Sequence, residues 1–251
     1  MKHIDKLEPI SLQDMEQVRL MNRIDTKYLT TVRMVEKLLE LACGQFLVQE
    51  IDGRRLMTYN TVYYDTPDEN MYYQHQRGKK SRRKVRIREY VDSNTTPFLE
   101  IKNKNNKGRT KKKRVAFEPG ASIDEYADFI GKHTEYEAEA LCPQIENRFL
   151  RITLVNKEKT ERITIDTSLE FHNFATGIKK SLPELAIIEW KRDGLSSNSR
   201  LKPLLRELRI KENGFSKYCI GMALTNPDLR QNRLKQRLRL VEKITNDSNK
   251  R

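Results

Sequence analysis

The sequence predicts an α+β fold in which antiparallel strands dominate. Apolar and charged residues alternate in many short segments between residues 46 and 192, which is the pattern of strands with one charged face. Helical spacing of apolar residues is found mainly before residue 45 and after residue 199. No repeat and no proline-rich linker interrupts the chain. We therefore expect one domain over residues 1–225, followed by a basic helix and tail over residues 226–251.

The elements follow from these patterns in order. Residues 11–20 and 31–42 have the spacing of short helices, and the segment RIDTKYLT between them is a candidate strand. Further strands are predicted at 46–52, 55–64, 82–91, 97–104, 111–118, 146–156, 160–171 and 185–192. Further helices are predicted at 68–76, 121–141 and 199–211, and another begins near Ser216.

Composition excludes several classes of protein. The chain has 251 residues, enough for a sizeable core, with 37% hydrophobic and 33% charged residues. No apolar run approaches the ~20 residues of a membrane span, and no signal-peptide core is seen, so we expect a cytoplasmic protein without an integral membrane segment. The three cysteines and four histidines are widely spaced. That spacing argues against a disulfide framework, a zinc site and a histidine-based catalytic centre.

The positive charge is concentrated in one part of the chain. The formal net charge is +14, and residues 74–114 hold 16 Lys/Arg against 3 Asp/Glu. Such a concentration indicates a polyanionic partner, either nucleic acid, phosphates or an anionic membrane. The alternative is a solvated basic face that serves solubility, although surfaces usually intersperse both signs.

Alternation places these charges on shared strand faces. An acid precedes a lysine by two positions in Asp25/Lys27, Glu100/Lys102 and Glu189/Lys191, and one face of the strand at 82–91 holds Arg82, Lys84, Arg86 and Arg88. Cross-strand pairing on a solvated sheet would explain one such strand, but not several in one sheet. Closing about eight strands into a barrel would turn the charged faces inward and form a basic tunnel with a few carboxylates. Cations bind phosphate oxygens and carboxylates hold a divalent metal, which is the equipment of phosphoryl transfer.

The order of short motifs resembles a known family. The segments that carry the resemblance are RIDTKYL, YNTVYYDT, KVRIREY, FLEIKNK, ENRFLRITL, RITIDTSL, AIIEWKRDG and GFSKYCIGM. Through these segments the chain resembles, from about Asn22 to Leu224, the VTC domain of polyphosphate polymerases, in the triphosphate tunnel metalloenzyme (CYTH-like) superfamily. It implies an antiparallel eight-stranded β-barrel tunnel with helices packed outside. It also implies ATP, Mn²⁺ or Mg²⁺, and transfer of the γ-phosphoryl group to a polyphosphate chain.

The resemblance also implies roles for particular residues. The catalytic residues would be Lys27, Arg86, Arg88 and Lys102. Further phosphate contacts would come from Lys104, Arg148, Arg162, Lys191, Ser216 and Lys217. The metal ligand would be Glu189, with Glu100 and Asp25 as further candidates. The superfamily's Glu-x-Glu-x-Lys pattern is here Arg23-Ile-Asp25-Thr-Lys27, and Lys104 stands where eukaryotic members tend to have histidine.

Two alternatives to the polymerase remain open at this point. An inorganic or nucleoside triphosphatase could use the same tunnel, since fold does not fix function. A non-catalytic binder of RNA or polyphosphate is the other. Between Arg77 and Arg114 only Tyr90 and Phe98 are aromatic, so platforms for base stacking are scarce and we expect no nucleic-acid partner.

Overall fold

A computed structural model describes residues 1–16, 18, 23–106, 110–194 and 199–248, which form eleven strands and seven α-helices. The strands are β1 (Glu8–Ile10), β2 (Arg23–Thr31), β3 (Phe46–Gln49), β4 (Met57–Asp65), β5 (Arg82–Tyr90), β6 (Phe98–Lys104), β7 (Thr110–Ala116), β8 (Cys142–Asn156), β9 (Glu161–Asn173), β10 (Lys179–Leu182) and β11 (Leu185–Asp193). The helices are α1 (Leu12–Glu16), α2 (Val32–Ala42), α3 (Asn70–Gln76), α4 (Ala127–His133), α5 (Leu201–Glu207), α6 (Lys217–Thr225) and α7 (Lys235–Ser248). The end of the first predicted helix (residues 17, 19 and 20) and the tail beyond residue 248 lie outside the described residues.

Eight strands form one curled antiparallel sheet. Their order is β2-β11-β9-β8-β4-β5-β6-β7, and every neighbouring pair is antiparallel. This confirms the predicted α+β class and the eight-stranded antiparallel sheet, which curls into a half-barrel. Within the described residues no ladder joins the two edge strands, β2 and β7.

A short segment, residues 212–216, lies between the edge strand β2 and strand β5. Its Asn213 amide donates to the Lys27 carbonyl at 2.8 Å, and the Lys27 Nζ donates to the Phe215 carbonyl at 3.1 Å. From β5, the Lys84 Nζ donates to the Ser216 Oγ at 2.9 Å. Among the described residues, these hydrogen bonds and an isolated β-bridge between Tyr28 and Glu212, rather than a continuous strand ladder, connect β2 with β5 across the open side of the sheet.

The convex face of the sheet is covered by helices α2 and α5. Ile152, Leu154, Ile163 and Ile165 from β8 and β9 are fully buried there, in one cluster with the apolar face of α2. Burying each such side chain stabilises the fold by roughly 1.5–3 kcal/mol. Helix α2 begins where Thr31 caps it, since the Thr31 hydroxyl accepts the Met34 amide at 3.2 Å.

Helices α6 and α7 lie against part of the concave face. A Cβ at Gly221 of α6 would lie 2.5 Å from the Phe171 ring and 2.8 Å from Ile145 Cδ1, so glycine permits this close approach to β8 and β9. Val241 of α7 is buried in the same cluster as Leu29 of β2. Helices α2 and α5 thus pack outside the sheet as expected, whereas α6 and α7 fill the part of the concave face that is apolar.

Two other differences from the sequence-based expectations have a physical reason. The residues predicted as one helix, 121–141, form three short helical pieces: Ile123–Tyr126, α4 and Ala138–Ala140. The backbone is extended at Thr134 (φ −138°, ψ 172°), which ends α4. The apolar residues Ile123, Ile130 and Ala138 of these pieces are buried in the same cluster as Val85 of β5 and Leu99 of β6. The short strands β1 and β10 were not predicted, since neither has a clear alternation. Among the described helices, none has the length and apolar character needed to span a membrane.

Candidate active site on the concave face

The strand register places most of the predicted site residues on one face of the sheet. Lys27 pairs with Glu189, and Glu189 pairs with Thr164. These residues form one side of the curled sheet, the β2–β11 wall. On the opposite side, the β5–β6 wall, Arg86 pairs with both Tyr63 and Glu100. Residues two apart along a strand share its face. The concave face accordingly holds Asp25, Lys27, Arg86, Arg88, Glu100, Lys102, Lys104, Arg162, Glu189 and Lys191.

Glu189 lies between two lysines on the β2–β11 wall. Its Oε1 is 3.7 Å from the Lys27 Nζ and its Oε2 is 3.2 Å from the Lys191 Nζ, while the side chain is 20% exposed. Burial alone would raise the pKa of Glu189, but the positive charges of Lys191, Lys27 and Lys102 hold that pKa well below its usual range. Glu189 is therefore an ionised carboxylate that faces the space enclosed by the concave face, which we call the lumen.

Glu100, on the β5–β6 wall, is fully buried and engaged on both oxygens. Its Oε2 accepts two hydrogen bonds from Arg86, at 2.8 Å from Nε and 2.5 Å from Nη2, and its Oε1 accepts Lys112 Nζ at 2.7 Å. Burial raises its pKa, but Arg86 and its cationic neighbours more than compensate, so the pKa lies below the usual range. Glu100 thus orients Arg86 and has little capacity left for a metal ion.

Arg88 and Lys102 face the lumen without a carboxylate of their own. Within the described part of the chain neither forms a salt bridge, and the Arg88 Nε donates to the Thr61 hydroxyl at 3.3 Å. Burial and the neighbouring Arg86 lower the pKa of Arg88 to about 10. The charge of Arg86, together with burial, lowers the pKa of Lys102 well below its usual range. Cations under such mutual repulsion are suited to bind an anion, which would relieve it.

The start of helix α6 adds donors to the same space. The Ser216 Oγ caps the helix by accepting the Cys219 amide at 3.2 Å. The Lys217 Nζ contacts the Asp166 carboxylate and lies 3.6 Å from the centroid of the Phe149 ring. Burial lowers the pKa of Lys217 to about 7, although Asp166 acts in the opposite direction. The helix dipole also favours an anion at this end.

Arg151 is a site residue that the sequence reasoning missed. It lies on the concave face beside Phe149, and its guanidinium makes a bidentate contact with Asp166, at 2.6 Å from Nε and 2.8 Å from Nη2. Arg148, which was predicted instead, is exposed on the other face of the sheet, so the structure does not bring it together with the other site residues. Alternation from Asn147 and Phe149 puts residues 148 and 151 on opposite faces, and the sequence does not say which face is concave.

Three further residues were not assigned to the site. Lys84 reaches Ser216, Lys112 reaches Glu100, and the Tyr63 hydroxyl is 3.5 Å from the Arg86 Nη1. Burial would raise the pKa of Tyr63, but the charges of Arg86, Arg88 and Lys84 lower it. Lys84 belonged to the charged face recognised in the sequence, whereas nothing in the sequence distinguishes Tyr63 from the packing tyrosines beside it.

The remaining predicted residues lie nearer the ends of the face. Arg162 is half-buried and its Nη2 donates to the Met15 carbonyl at 2.8 Å, while Lys104 is half-buried at the end of β6. Asp25 is exposed and pairs in register with Lys191. These three residues share the concave face with Glu189, but only Asp25 adds a second carboxylate on the β2–β11 wall.

A dedicated protein cage for a metal ion is not found. No group of three or more His, Cys, Asp or Glu residues is placed to hold an ion within residues 1–16, 18, 23–106, 110–194 and 199–248. Mg²⁺ typically uses one or two carboxylates together with substrate phosphates. Glu189, with Asp25 on the neighbouring strand, fits that arrangement, whereas Glu100 does not because both its oxygens are engaged.

Among the comparisons with known proteins, a family model matches most of the chain. The model of the VTC domain family matches residues 22–226. No curated protein sequence matches the chain.

Among solved structures, a Bacillus halodurans protein described as a "putative adenylate cyclase" aligns with a TM-score of 0.48 and 14% identity, over 78% of this chain and 96% of its own. A protein from Pyrococcus horikoshii OT3 aligns with a TM-score of 0.45 and 16% identity, over 80% of this chain and 98% of its own. Both scores are below 0.5, so we draw no conclusion from these two likenesses.

Proposed function

The chain belongs to the VTC domain family, and from that membership and the concave site we propose that it is a metal-dependent polyphosphate polymerase. It would transfer the γ-phosphoryl group of ATP to the end of a polyphosphate chain. The observation that carries the proposal is the excess of cations that converge on one lumen. Eight cationic side chains, Lys27, Lys84, Arg86, Arg88, Lys102, Arg151, Lys191 and Lys217, surround three carboxylates, Glu100, Asp166 and Glu189.

The chemistry needs little from the protein beyond position and charge. The bond between the γ-phosphorus and its bridging oxygen to the β-phosphate breaks, a terminal oxygen of the acceptor chain forms the new bond, and ADP leaves. The substrate and product carry several negative charges in a row. A lumen walled by cations stabilises those charges and holds both phosphates in line.

Particular residues would divide this work. Arg88 and Lys102 have no carboxylate partner among the described residues, so they are suited to contact the transferred group directly. Arg86 is held by Glu100 and would present its remaining donors in a fixed direction. Lys217 and Ser216, at the start of α6, would hold phosphate oxygens from the opposite side.

Glu189 would hold the divalent ion. Its carboxylate is ionised and partly exposed; Lys27 lies beside it on β2, and the charge of Lys102 from the other wall also acts on it. Mn²⁺ or Mg²⁺ held there would supply positive charge that offsets part of the negative charge of the phosphates. Lys27 and Lys191 orient the Glu189 carboxylate when no ion is bound, and both lysines would turn to phosphate oxygens as substrate enters. A cytoplasmic location fits a supply of ATP and belongs to the same proposal.

The test is a product assay. Purified protein incubated with ATP and Mn²⁺ or Mg²⁺ should form acid-insoluble polyphosphate, and chelation of the metal should stop it. Release of ADP and orthophosphate without any polymer would overturn the polymerase and leave a triphosphatase, the alternative reaction on the same site. Metal-independent, strongly salt-dependent binding of RNA without turnover would overturn both.

A further inference from the structure

A second group of cations lies where the row of basic residues on β5 leaves the lumen. Lys84 reaches Ser216 inside the site, and Arg82 precedes it by two residues on the same strand face. Arg233 lies two residues before the start of α7, and Arg237 lies in its first turn. Both come close to the end of β5 that holds Arg82. We call Arg82, Arg233 and Arg237 the outer basic cluster.

Gly78 and Gly214 lie beside the arginines of this cluster. A Cβ at Gly78, whose φ is +74°, would overlap the guanidinium of Arg233. A Cβ at Gly214 would lie 3.4 Å from the Arg237 Nη2, which is an ordinary van der Waals distance. The loop before β5 therefore leaves room for the Arg233 guanidinium, and the segment before α6 lies close to the Arg237 guanidinium.

The outer basic cluster surrounds His75, whose ring is partly buried. Burial, the largest cause, and the charges of Lys84, Arg82, Arg237 and Arg233 together lower the pKa of His75 to about 3. The His75 Nδ1 is buried and makes no hydrogen bond within the described chain. All four cations therefore act on this one side chain.

Nothing in the described chain neutralises these arginines. Across residues 1–16, 18, 23–106, 110–194 and 199–248, none of the three forms a salt bridge, and Arg237 donates only a long hydrogen bond, 3.4 Å, to the Arg233 carbonyl. Arginine suits phosphate because its planar donors bind two oxygens at once. Unneutralised cations that continue the basic row of the lumen are placed for an anion longer than the triphosphate.

We propose that the outer basic cluster is a second phosphate-chain subsite, which binds the part of a polyphosphate chain that extends beyond the lumen. This inference rests on the proposed function and deepens it. Phosphates held at Arg82, Arg233 and Arg237 would keep the growing chain on the protein between additions. The cluster would therefore govern chain length and retention more than the rate of each transfer.

The test compares long and short phosphate chains as ligands. Binding of inorganic tripolyphosphate and of long-chain polyphosphate is measured by calorimetry for the full chain and for the double variant Arg233→Gln/Arg237→Gln. Affinity for the long chain should fall about tenfold or more, because two charged hydrogen-bond donors are lost, and affinity for tripolyphosphate should change by less than about twofold. The matched control is Arg239→Gln, an exposed arginine on the same helix, which should leave both affinities unchanged.

A second variant guards against damage to α7. Arg82→Gln removes a donor from β5 and leaves that helix untouched, and it should weaken the long chain selectively as well. Equal losses for the long chain and tripolyphosphate, or no loss for either, would refute the subsite. If the protein makes no polymer from ATP but still shows the selective loss, the proposed function fails and the subsite stands. If polymer forms with unchanged length and unchanged binding in the variants, the subsite fails alone.

Discussion

The β5–β6 wall and the β2–β11 wall carry the same Glu-x-Lys spacing and use it differently. Glu100 is 0% exposed, and both its oxygens are engaged by Arg86 and Lys112. Glu189 is 20% exposed and has two lysines at 3.2 and 3.7 Å. One carboxylate is therefore part of the wall, whereas the other is available to a ligand. The difference comes from depth and from the partner residue, since arginine forms a fixed fork and lysine a movable point charge.

The largest effect is expected from Glu189→Gln. Removing the carboxylate that would hold the metal should lower kcat by roughly 10³-fold, because a major part of the charge stabilisation is lost. The free energy of unfolding should change little, since Glu189 is partly solvated. Steady-state kinetics with ATP and an unfolding curve in urea measure both. Full activity in this variant would contradict the contrast between the two walls.

Glu100→Gln should show the opposite pattern. It leaves Arg86 buried without its carboxylate, so the free energy of unfolding should fall by about 3 kcal/mol. Activity should fall only in proportion to the misplacement of Arg86. Chemical denaturation of this variant beside Glu189→Gln provides the comparison, and equal stability of the two proteins would show that depth does not separate the walls.

Arg151 and Arg148 form a matched pair on one strand. Arg151→Gln should lower the free energy of unfolding by about 2 kcal/mol and weaken phosphate binding, since Asp166 then keeps only Lys217. Arg148→Gln should lie within about 0.5 kcal/mol of the parent and keep its activity, because the side chain is exposed on the other face. A larger effect from Arg148 would mean that the concave face is assigned wrongly.

The smallest expected effect is on the pH dependence of stability. The pKa of Lys217 is about 7 in the folded protein and about 10.4 in an unfolded chain. The folded state therefore binds fewer protons between these values, and stability rises with pH across that window. Urea midpoints of the ligand-free protein should increase from pH 7 to about 8.5, and Lys217→Met should flatten this slope. An unchanged slope in the variant would assign the effect to other lysines.

Much of the sheet could be predicted because alternation is a local property. Val85 and Ile87 against Arg86 and Arg88 set the two faces of β5, and the structure keeps them apart as expected. The strand at 185–192 is likewise found at Leu185–Asp193. In both strands the local pattern and the tertiary environment favour the same faces.

The parts that were missed depend on contacts between distant segments. Phe149 and Phe171 are apolar on the concave face because α6 fills the space beneath them, so polarity no longer marks the inside of β8. For that reason the sequence reasoning named Arg148 and not Arg151, which lies on the concave face. The pairing of Glu100 with Lys112 joins residues of two strands whose register no single segment determines. Whether a carboxylate is engaged or available is a property of the assembled wall.

Residues 212–216 close the open side of the lumen with few contacts, among them the three hydrogen bonds to β2 and β5. A strand ladder along the whole of β2 would close this side of the sheet with many backbone hydrogen bonds. The closure by residues 212–216 instead depends on the side chains of Lys27 and Lys84 and on the backbone of the segment. Both lysines are cations that a phosphate would attract away from their present acceptors. Local opening is easiest where few bonds must break. For the polyphosphate chain proposed above, such an opening would admit the chain from the side, without threading a free end through a closed ring.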